Sequence, residues 1–330
     1  MSATGLALPL NLGLPVRGLA DVAGRAEALG YTRVWAAEAG TNDAFGLLTA
    51  CALATESIGL ATGVLPIQTR TPALMAQCAT TLQDVSGGRF ALGIGVSSPV
   101  IVGKWNGVAY DRPIEWIREY AQVVTEILSG EKVTHPSALY PVDGYRLLMH
   151  RHPTPPPVLI GALNPAMLRT AGEVSAGALL NWIGAHAVPD ALAQVAAGAN
   201  GAARTNSVFV RVCVTEDTDA ARAWARREVM GYVIVPAYRR AFGTQGWAAE
   251  CESAMKLWDA GDRKAAAASL PDAFVDSLCI AGPADDVRAL FDAFAAAGAD
   301  EPIAFLFSGQ TDVPKVVAEL EATMAALAPA

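Results

Sequence analysis

The chain has 330 residues, 52% hydrophobic and 17% charged, with a formal net charge of −8. That much apolar surface offsets the entropy of ordering and excludes a disordered chain, and acidity without a basic stripe argues against nucleic acid or an anionic membrane as partner. Mean hydropathy is +0.31, yet the longest stretch without Asp, Glu, Lys or Arg is the 17 residues His152–Leu168, which opens on four prolines in six residues and falls short of the ~20 apolar residues of a spanning helix.

Apolar runs alternate with helical patterns from the start. Leu6–Leu12 reads as a strand, and Leu19–Leu29 as a helix closed by Gly30, its apolar residues spaced by three and four. Tyr31–Trp35 is the second strand and Asp43–Thr55 a helix with Asp43 as N-cap. Gly59–Val64 is the third strand, and Pro72–Val85 a helix opened by proline and stopped by Ser86-Gly87-Gly88. Phe90–Gly95 is the fourth strand and Pro113–Leu128 its helix. The proline- and histidine-rich stretch 130–156 is an excursion. Alternation returns with strand Pro157–Gly161 and helix Ala166–Val174, strand Ala178–Trp182 and helix Pro189–Ala199, then strand Val208–Val214. A long helical segment, Asp219–Ser277, precedes strand Pro302–Phe307 and helix Val313–Leu327.

Eight buried strands, each followed by helix, predict a (β/α)8 barrel with insertions; the count favours it over a doubly wound open sheet with the same local pattern. We expect one domain over 1–330, with an excursion at about 130–156 and a helical extension at about 230–278. The five cysteines are far apart and form no Cys-x-x-Cys, so neither a disulfide framework nor a zinc site is expected. The first 16 residues carry no basic leader. The expectation is a soluble, cytoplasmic protein that binds neither nucleic acid nor membrane.

In a barrel, chemistry belongs at the C-terminal ends of the strands. That rule selects Asn11, Ala36–Glu38, Gly63–Leu65, Val96–Ser98, Gly161–Asn164 and Asn181–Trp182. Glu38 follows the apolar Trp35-Ala36-Ala37 and is expected to project over the mouth, or else to be a solvated loop acid. Gly93-Ile94-Gly95 lacks the third glycine of a dinucleotide fingerprint and reads as packing glycine, or as a place for close backbone approach to a ring. Asn164 precedes Pro165 as an N-cap, and free amides at a helix N-terminus suit an anion. No Gly-x-Ser-x-Gly elbow appears, and no His and carboxylate pair has metal-ligand spacing. His150 and His152 flank Arg151 in a surface loop.

Taken together the motifs resemble a known family. Trp35-Ala36-Ala37-Glu38-Ala39 with Asn42-Asp43-Ala44-Phe45 is similar to the second-strand signature of the luciferase-like flavin and deazaflavin oxidoreductases. Gly63-Val64-Leu65 through Arg70-Thr71-Pro72-Ala73 resembles the third-strand signature, and Ser86 to Ser97 the fourth-strand block. Trp105, Gly107, Arg118-Glu119-Tyr120, Pro157 to Ala162 and Ile280-Ala281-Gly282-Pro283 extend the likeness over nearly the whole chain. The branch it resembles uses the 5-deazaflavin coenzyme F420; FMN-dependent monooxygenases share the fold and are the alternative.

The resemblance implies a bacterial-luciferase-like barrel with the ring lying across the strand ends. It implies a non-prolyl cis bond, Gly63–Val64, forming a bulge with Leu65 against the central ring. Glu38 would lie at the ring's polar edge as the catalytic group, while Val96, Ser97 and Ser98 present backbone groups. Gly161, Ala162, Leu163 and Asn164 would flank the ribityl phosphate. Lys104 and Arg112 are the nearest basic candidates for an anionic cofactor tail. Related sequences tend to carry Glu-Gly-Trp where this chain has Gly103-Lys104-Trp105, and Ala-Asp-Gly where it has Ala176-Gly177-Ala178, a departure that bears on the phosphate side. The expected protein is a homodimeric oxidoreductase moving a hydride between coenzyme F420 and a small-molecule substrate, with no metal; a barrel that binds without turnover is a third reading.

Overall fold

The computed structural model describes residues 3–329. Twelve strands are defined among them: β1 Gly5–Ala7, β2 Arg33–Ala36, β3 Gly59–Thr62, β4 Leu65–Pro66, β5 Phe90–Gly95, β6 Val133–His135, β7 Val142–Tyr145, β8 Val158–Gly161, β9 Gly177–Asn181, β10 Ser207–Val214, β11 Cys279–Gly282 and β12 Glu301–Leu306. Eight of them run in parallel around a ring in the order β1, β2, β3, β5, β8, β9, β10, β12. The ring closes where Val208 of β10 lies opposite Leu180 of β9, and where Gly5 of β1 lies opposite Ile303 of β12. An open doubly wound sheet would leave two edges; this is a closed (β/α)8 barrel.

The barrel closes because the strand period of two sorts the side chains into two sets. Ala7, Trp35, Ala61, Ala91, Leu159, Leu179, Phe209 and Ile303, one from each strand, form the interior layer. Two large rings, Trp35 and Phe209, meet edge-to-face at 5.8 Å, and alanines make room for them. The alternate residues, among them Leu6, Val34, Leu60, Leu92, Ile160 and Val210, pack outward in the main core shared with the helices. At the N-terminal end of the barrel, Arg33 donates to Glu301 at 2.7 Å and Ser207 to the same carboxylate at 3.2 Å.

Six elements differ from the sequence reading or were absent from it. The first strand ends at Ala7, because Pro9 has no N–H for the ladder, and Leu10–Leu12 is a single 3₁₀ turn. The third strand ends at Thr62; the chain bulges at Gly63–Val64 and rejoins β5 as β4, with Leu65 opposite Ile94. The excursion at 130–156 contains the antiparallel hairpin β6–β7. The long helical segment is five α-helices between Thr218 and Leu278, two of them joined by the π turn Gly243–Trp247, which kinks at Gly246. It is followed by β11 and a helix, Ala284–Ala296, that were not foreseen. Strand β11 is four residues with a single β-branched side chain, too short to break an alanine-rich helical pattern. It pairs with the outer half of β10, Arg211 opposite Cys279, where β9 no longer follows. No helix is long and apolar enough to cross a membrane among the described residues.

Entry into β3 is held by one carboxylate. Glu27 accepts from the backbone N–H groups of Glu56, Ser57 and Ile58 and from the Ser57 hydroxyl, at 2.6 to 3.2 Å. Slight burial pushes this carboxyl up, but the four donors outweigh it and bring it down to about 2. A depressed carboxyl adds stability above the unfolded-state value near 4.3 and loses it as pH falls towards 2. Glu27→Gln is therefore expected to narrow the stability difference between pH 5 and pH 2.5 in urea unfolding. An unchanged pH dependence refutes the clamp.

Candidate active site at the barrel mouth

The C-terminal ends of β3, β5 and β8 converge on Val64. The Gly63–Val64 peptide is cis. Gly63 N–H donates to Ala36 O at 2.9 Å, and Val64 O accepts from Glu38 N–H at 3.3 Å, so the bulge is stitched to the end of β2. The Val64 side chain packs where two glycines leave space. A Cβ on Gly95 would stand 2.7 Å from Val64 Cγ2, and one on Gly161 3.1 Å from Cγ1. A Cβ on Gly63 would stand 2.5 Å from Phe209 Cζ, the floor of the barrel reaching from the opposite strand. Small residues are required here by close approach. The result is a low, side-chain-poor seat on one half of the mouth.

Glu38 does not point freely over this seat. Arg70 grips both oxygens, Nη1 to Oε1 at 2.9 Å and Nη2 to Oε2 at 3.1 Å, and Ala44 N–H donates to Oε2 at 3.2 Å. Arg70 also donates to Asp43 at 2.7 Å and lies 5.3 Å from the Phe45 ring centroid, while its carbonyl accepts from Tyr120. The sequence placed Arg70 only within a motif; its role as the partner of Glu38 needed the fold. Asp43 caps its helix through Gly46 N–H at 2.7 Å, as expected.

The other expected residues share the mouth, with changes of detail. The Val96 carbonyl accepts from Gln68 Nε2 at 3.1 Å and the Ser97 carbonyl from the Tyr110 hydroxyl at 3.4 Å, each keeping a second lone pair. Ser97 is left-handed, with φ 57°. Ser98 Oγ accepts from Ile101 N–H at 3.3 Å. Gly161, Ala162, Leu163 and Asn164 lead from β8 into helix Pro165–Val174, which has no acid in its first turn. Asn164 takes the N-cap position of that helix, as expected, but its side chain makes no capping bond: its amide donates to Ala237 O at 3.1 Å, tying the loop to the helical extension. The amides of the first turn thus lack a side-chain cap. Gly177 begins β9, at the end of the barrel away from the mouth, where any side chain would collide with the Thr205 carbonyl. The missing acid there has no bearing on the mouth. Arg112 is occupied by Asp111 and Glu115 at 3.6 and 3.4 Å, whereas Lys104 is exposed. His150 lies on the surface, 2.9 Å from Asp84.

Around the seat stands an apolar rim. Leu12 and Leu14 follow β1, and Val100, Trp105 and Val108 follow β5, all solvent-exposed. Trp105 leans over Gly40 after β2, closing the rim between two loops. An exposed apolar rim around polar backbone is the common make-up of a pocket for a flat organic ligand. Across the mouth, Arg211 of β10 is 4% exposed and was missed entirely by sequence reasoning. Its signal was visible: one charge inside Val208-Phe209-Val210-Arg211-Val212, at the inward parity of Phe209.

The description "luciferase-like monooxygenase" matches residues 3–301 of the chain. The chain is 33% identical to 5,10-methylenetetrahydromethanopterin reductase of Methanolobus tindarius over 225 residues, 67% of this chain and 68% of that one. A Mycobacterium tuberculosis protein described as a coenzyme F420-dependent oxidoreductase is 28% identical over 327 positions, 89% of this chain and 93% of its own. The solved coenzyme F420-dependent tetrahydromethanopterin reductase of Methanopyrus kandleri superposes with a TM-score of 0.79 at 22% identity, covering 99% of this chain and 98% of that one. The chain belongs to the luciferase-like monooxygenase family and is an oxidoreductase of that kind.

The Glu38–Arg70 pair is mostly shielded, with side chains 19% and 14% exposed. A double-mutant cycle with Glu38→Gln and Arg70→Met is expected to give about 1–2 kcal/mol of coupling in denaturant unfolding, more than an open surface pair. Additive losses refute the bidentate pair as an anchor of the mouth.

Proposed function

We propose that the chain is a coenzyme F420-dependent oxidoreductase that moves a hydride between the deazaflavin and a small organic substrate. The observation that carries this reading is the seat itself: three strand ends without side chains, at Gly63, Gly95 and Gly161, around Val64. Such a surface fits one face of a planar tricycle, and the relatives described as coenzyme F420-dependent supply the choice of ring. When bound, that cofactor supplies two-electron hydride chemistry at C5 of its ring.

The protein's own groups do the rest. Gly63, Val64 and Leu65 hold the ring face, and Val96, Ser97 and Ser98 border its edge with backbone and hydroxyl groups. Gly161 to Asn164 and the uncapped N-terminus of helix Pro165–Val174 suit the phosphate of the side chain. Leu12, Leu14, Val100, Trp105 and Val108 exclude water from the reacting atoms. Glu38, expected as the catalytic group, has both oxygens engaged and orients Arg70 at the seat's edge, which supports a role in orientation over one in moving a proton. We place the active species as a cytoplasmic homodimer, on the resemblance alone.

Fluorescence titration of the apo-protein is expected to show tighter binding of coenzyme F420 than of FMN. Gly95→Ala, which crowds Val64, is expected to weaken that binding about tenfold, since overpacking costs ~1–3 kcal/mol. Tighter FMN binding with substrate-dependent oxygen uptake overturns the deazaflavin reading in favour of the monooxygenase.

A further inference from the structure

Arg211 is a buried cation without an anion. Its Nη1 donates to Asn181 Oδ1 at 2.8 Å, its guanidinium carbon lies 3.3 Å from the Trp182 ring centroid, and Phe305 is 5.0 Å away. Among the described residues no carboxylate lies within ion-pair distance of it, and Asn181 is its one side-chain hydrogen-bond partner. Two aromatic faces and one neutral amide do not replace the water that a guanidinium loses on burial. Burial accordingly pushes Arg211 below the usual arginine range. Arg70, Arg33 and Arg222 are each paired with a carboxylate, and Arg89, which has none, donates to four backbone carbonyls and a hydroxyl; Arg211 has neither kind of saturation.

Its place in the barrel says what the charge faces. Arg211 stands two residues beyond Phe209 on the same face of β10, so it lies about 6.5–7 Å nearer the mouth. In the ring of eight strands, β10 is four away from β3, directly across from Gly63 and Val64. Phe209 bridges that distance below, touching Gly63, and Arg211 forms the wall above it. A molecule sandwiched between the Val64 seat and the far wall therefore meets Arg211. With Nη1 given to Asn181 and the guanidinium carbon over the Trp182 ring, Nε and Nη2 are the donors left for recognition, and that adjacent pair matches two in-plane oxygens.

We propose that Arg211, held in register by Asn181 and Trp182, binds a carboxylate of the substrate and so orients it against the seat, which makes the substrate class a small organic acid. This rests on the function proposed above for the identity of what lies on the seat. The recognition itself requires only the wall.

The test uses benzoate as carboxylate probe and benzamide as its uncharged counterpart, each followed by tryptophan fluorescence with and without coenzyme F420, alongside a coenzyme F420 titration. Wild-type protein is expected to bind benzoate saturably and benzamide not at all. Arg211→Met is expected to weaken benzoate about tenfold to a hundredfold, the worth of a charge-assisted bidentate contact, and to leave coenzyme F420 affinity unchanged. Arg211→Lys, which keeps the charge without the fork, is expected to fall between. If Arg211→Met does not fold, Asn181→Leu replaces it, with the same ordering of probes. Equal benzoate binding in wild type and variant, or none in either condition, overturns the proposal. Loss of coenzyme F420 affinity with benzoate unaffected overturns it too, assigning the oxygen to the cofactor. Benzoate binding that needs Arg211 in a protein that binds no coenzyme F420 upholds the proposal and refutes the cofactor reading.

Discussion

The mouth of this barrel depends on how closely three strand ends approach one side chain. Val64 sits against Gly95 and Gly161, and its peptide neighbour Gly63 sits against Phe209 from the opposite wall. Each contact is possible only because a glycine has no Cβ, and together they let the bulge after β3 lie flat over the interior layer. Larger residues at these points would push the bulge outward, away from β5, and break the register that brings Leu65 opposite Ile94. The seat, the pairing of β4 and the position of Glu38, whose N–H donates to Val64 O, all follow from that packing.

Charge at the mouth is arranged asymmetrically. On the β2–β3 side the shielded pair of Glu38 and Arg70, joined by the exposed Asp43, satisfies itself and ties two loops to a helix N-terminus. On the β10 side a single guanidinium is buried among aromatics with one neutral partner. The first arrangement is rigid and complete; the second leaves donors for something else. A low-dielectric wall makes such donors count for more than they would in water.

The insertion after β10 shapes that second wall. Its helices present Tyr232 and Tyr238, and Tyr232 packs on Trp182 at 4.4 Å. Asn164, from the loop after β8, holds the same insertion through Ala237. The extension is thus a side wall of the mouth as well as a second core, in which Phe242 meets Phe274. Its last strand, β11, replaces β9 as the neighbour of β10 just where Arg211 lies.

Local pattern in the sequence was enough for the barrel. Eight apolar runs, with helix periodicity between them, determined fold class and the ordering of strand and helix, because burial on both faces of a parallel strand leaves a continuous apolar run whatever the surroundings. Motifs at the strand ends also determined which loops form the mouth, since Glu38, Gly63 to Leu65, Val96 to Ser98 and Gly161 to Asn164 all end parallel strands on the same side. Pairing across the chain was not legible. Arg70 meeting Glu38 spans 32 positions, and Asn164 turning from its own helix to Ala237 spans 73. Strand β11 carried too few β-branched residues to stand out locally and exists because β10 offers it an unpaired edge. Arg211 showed its charge in the sequence, but its lack of a counter-ion is a property of everything packed around it. Sequence states what each residue can offer; only tertiary packing decides whether the offer is already taken.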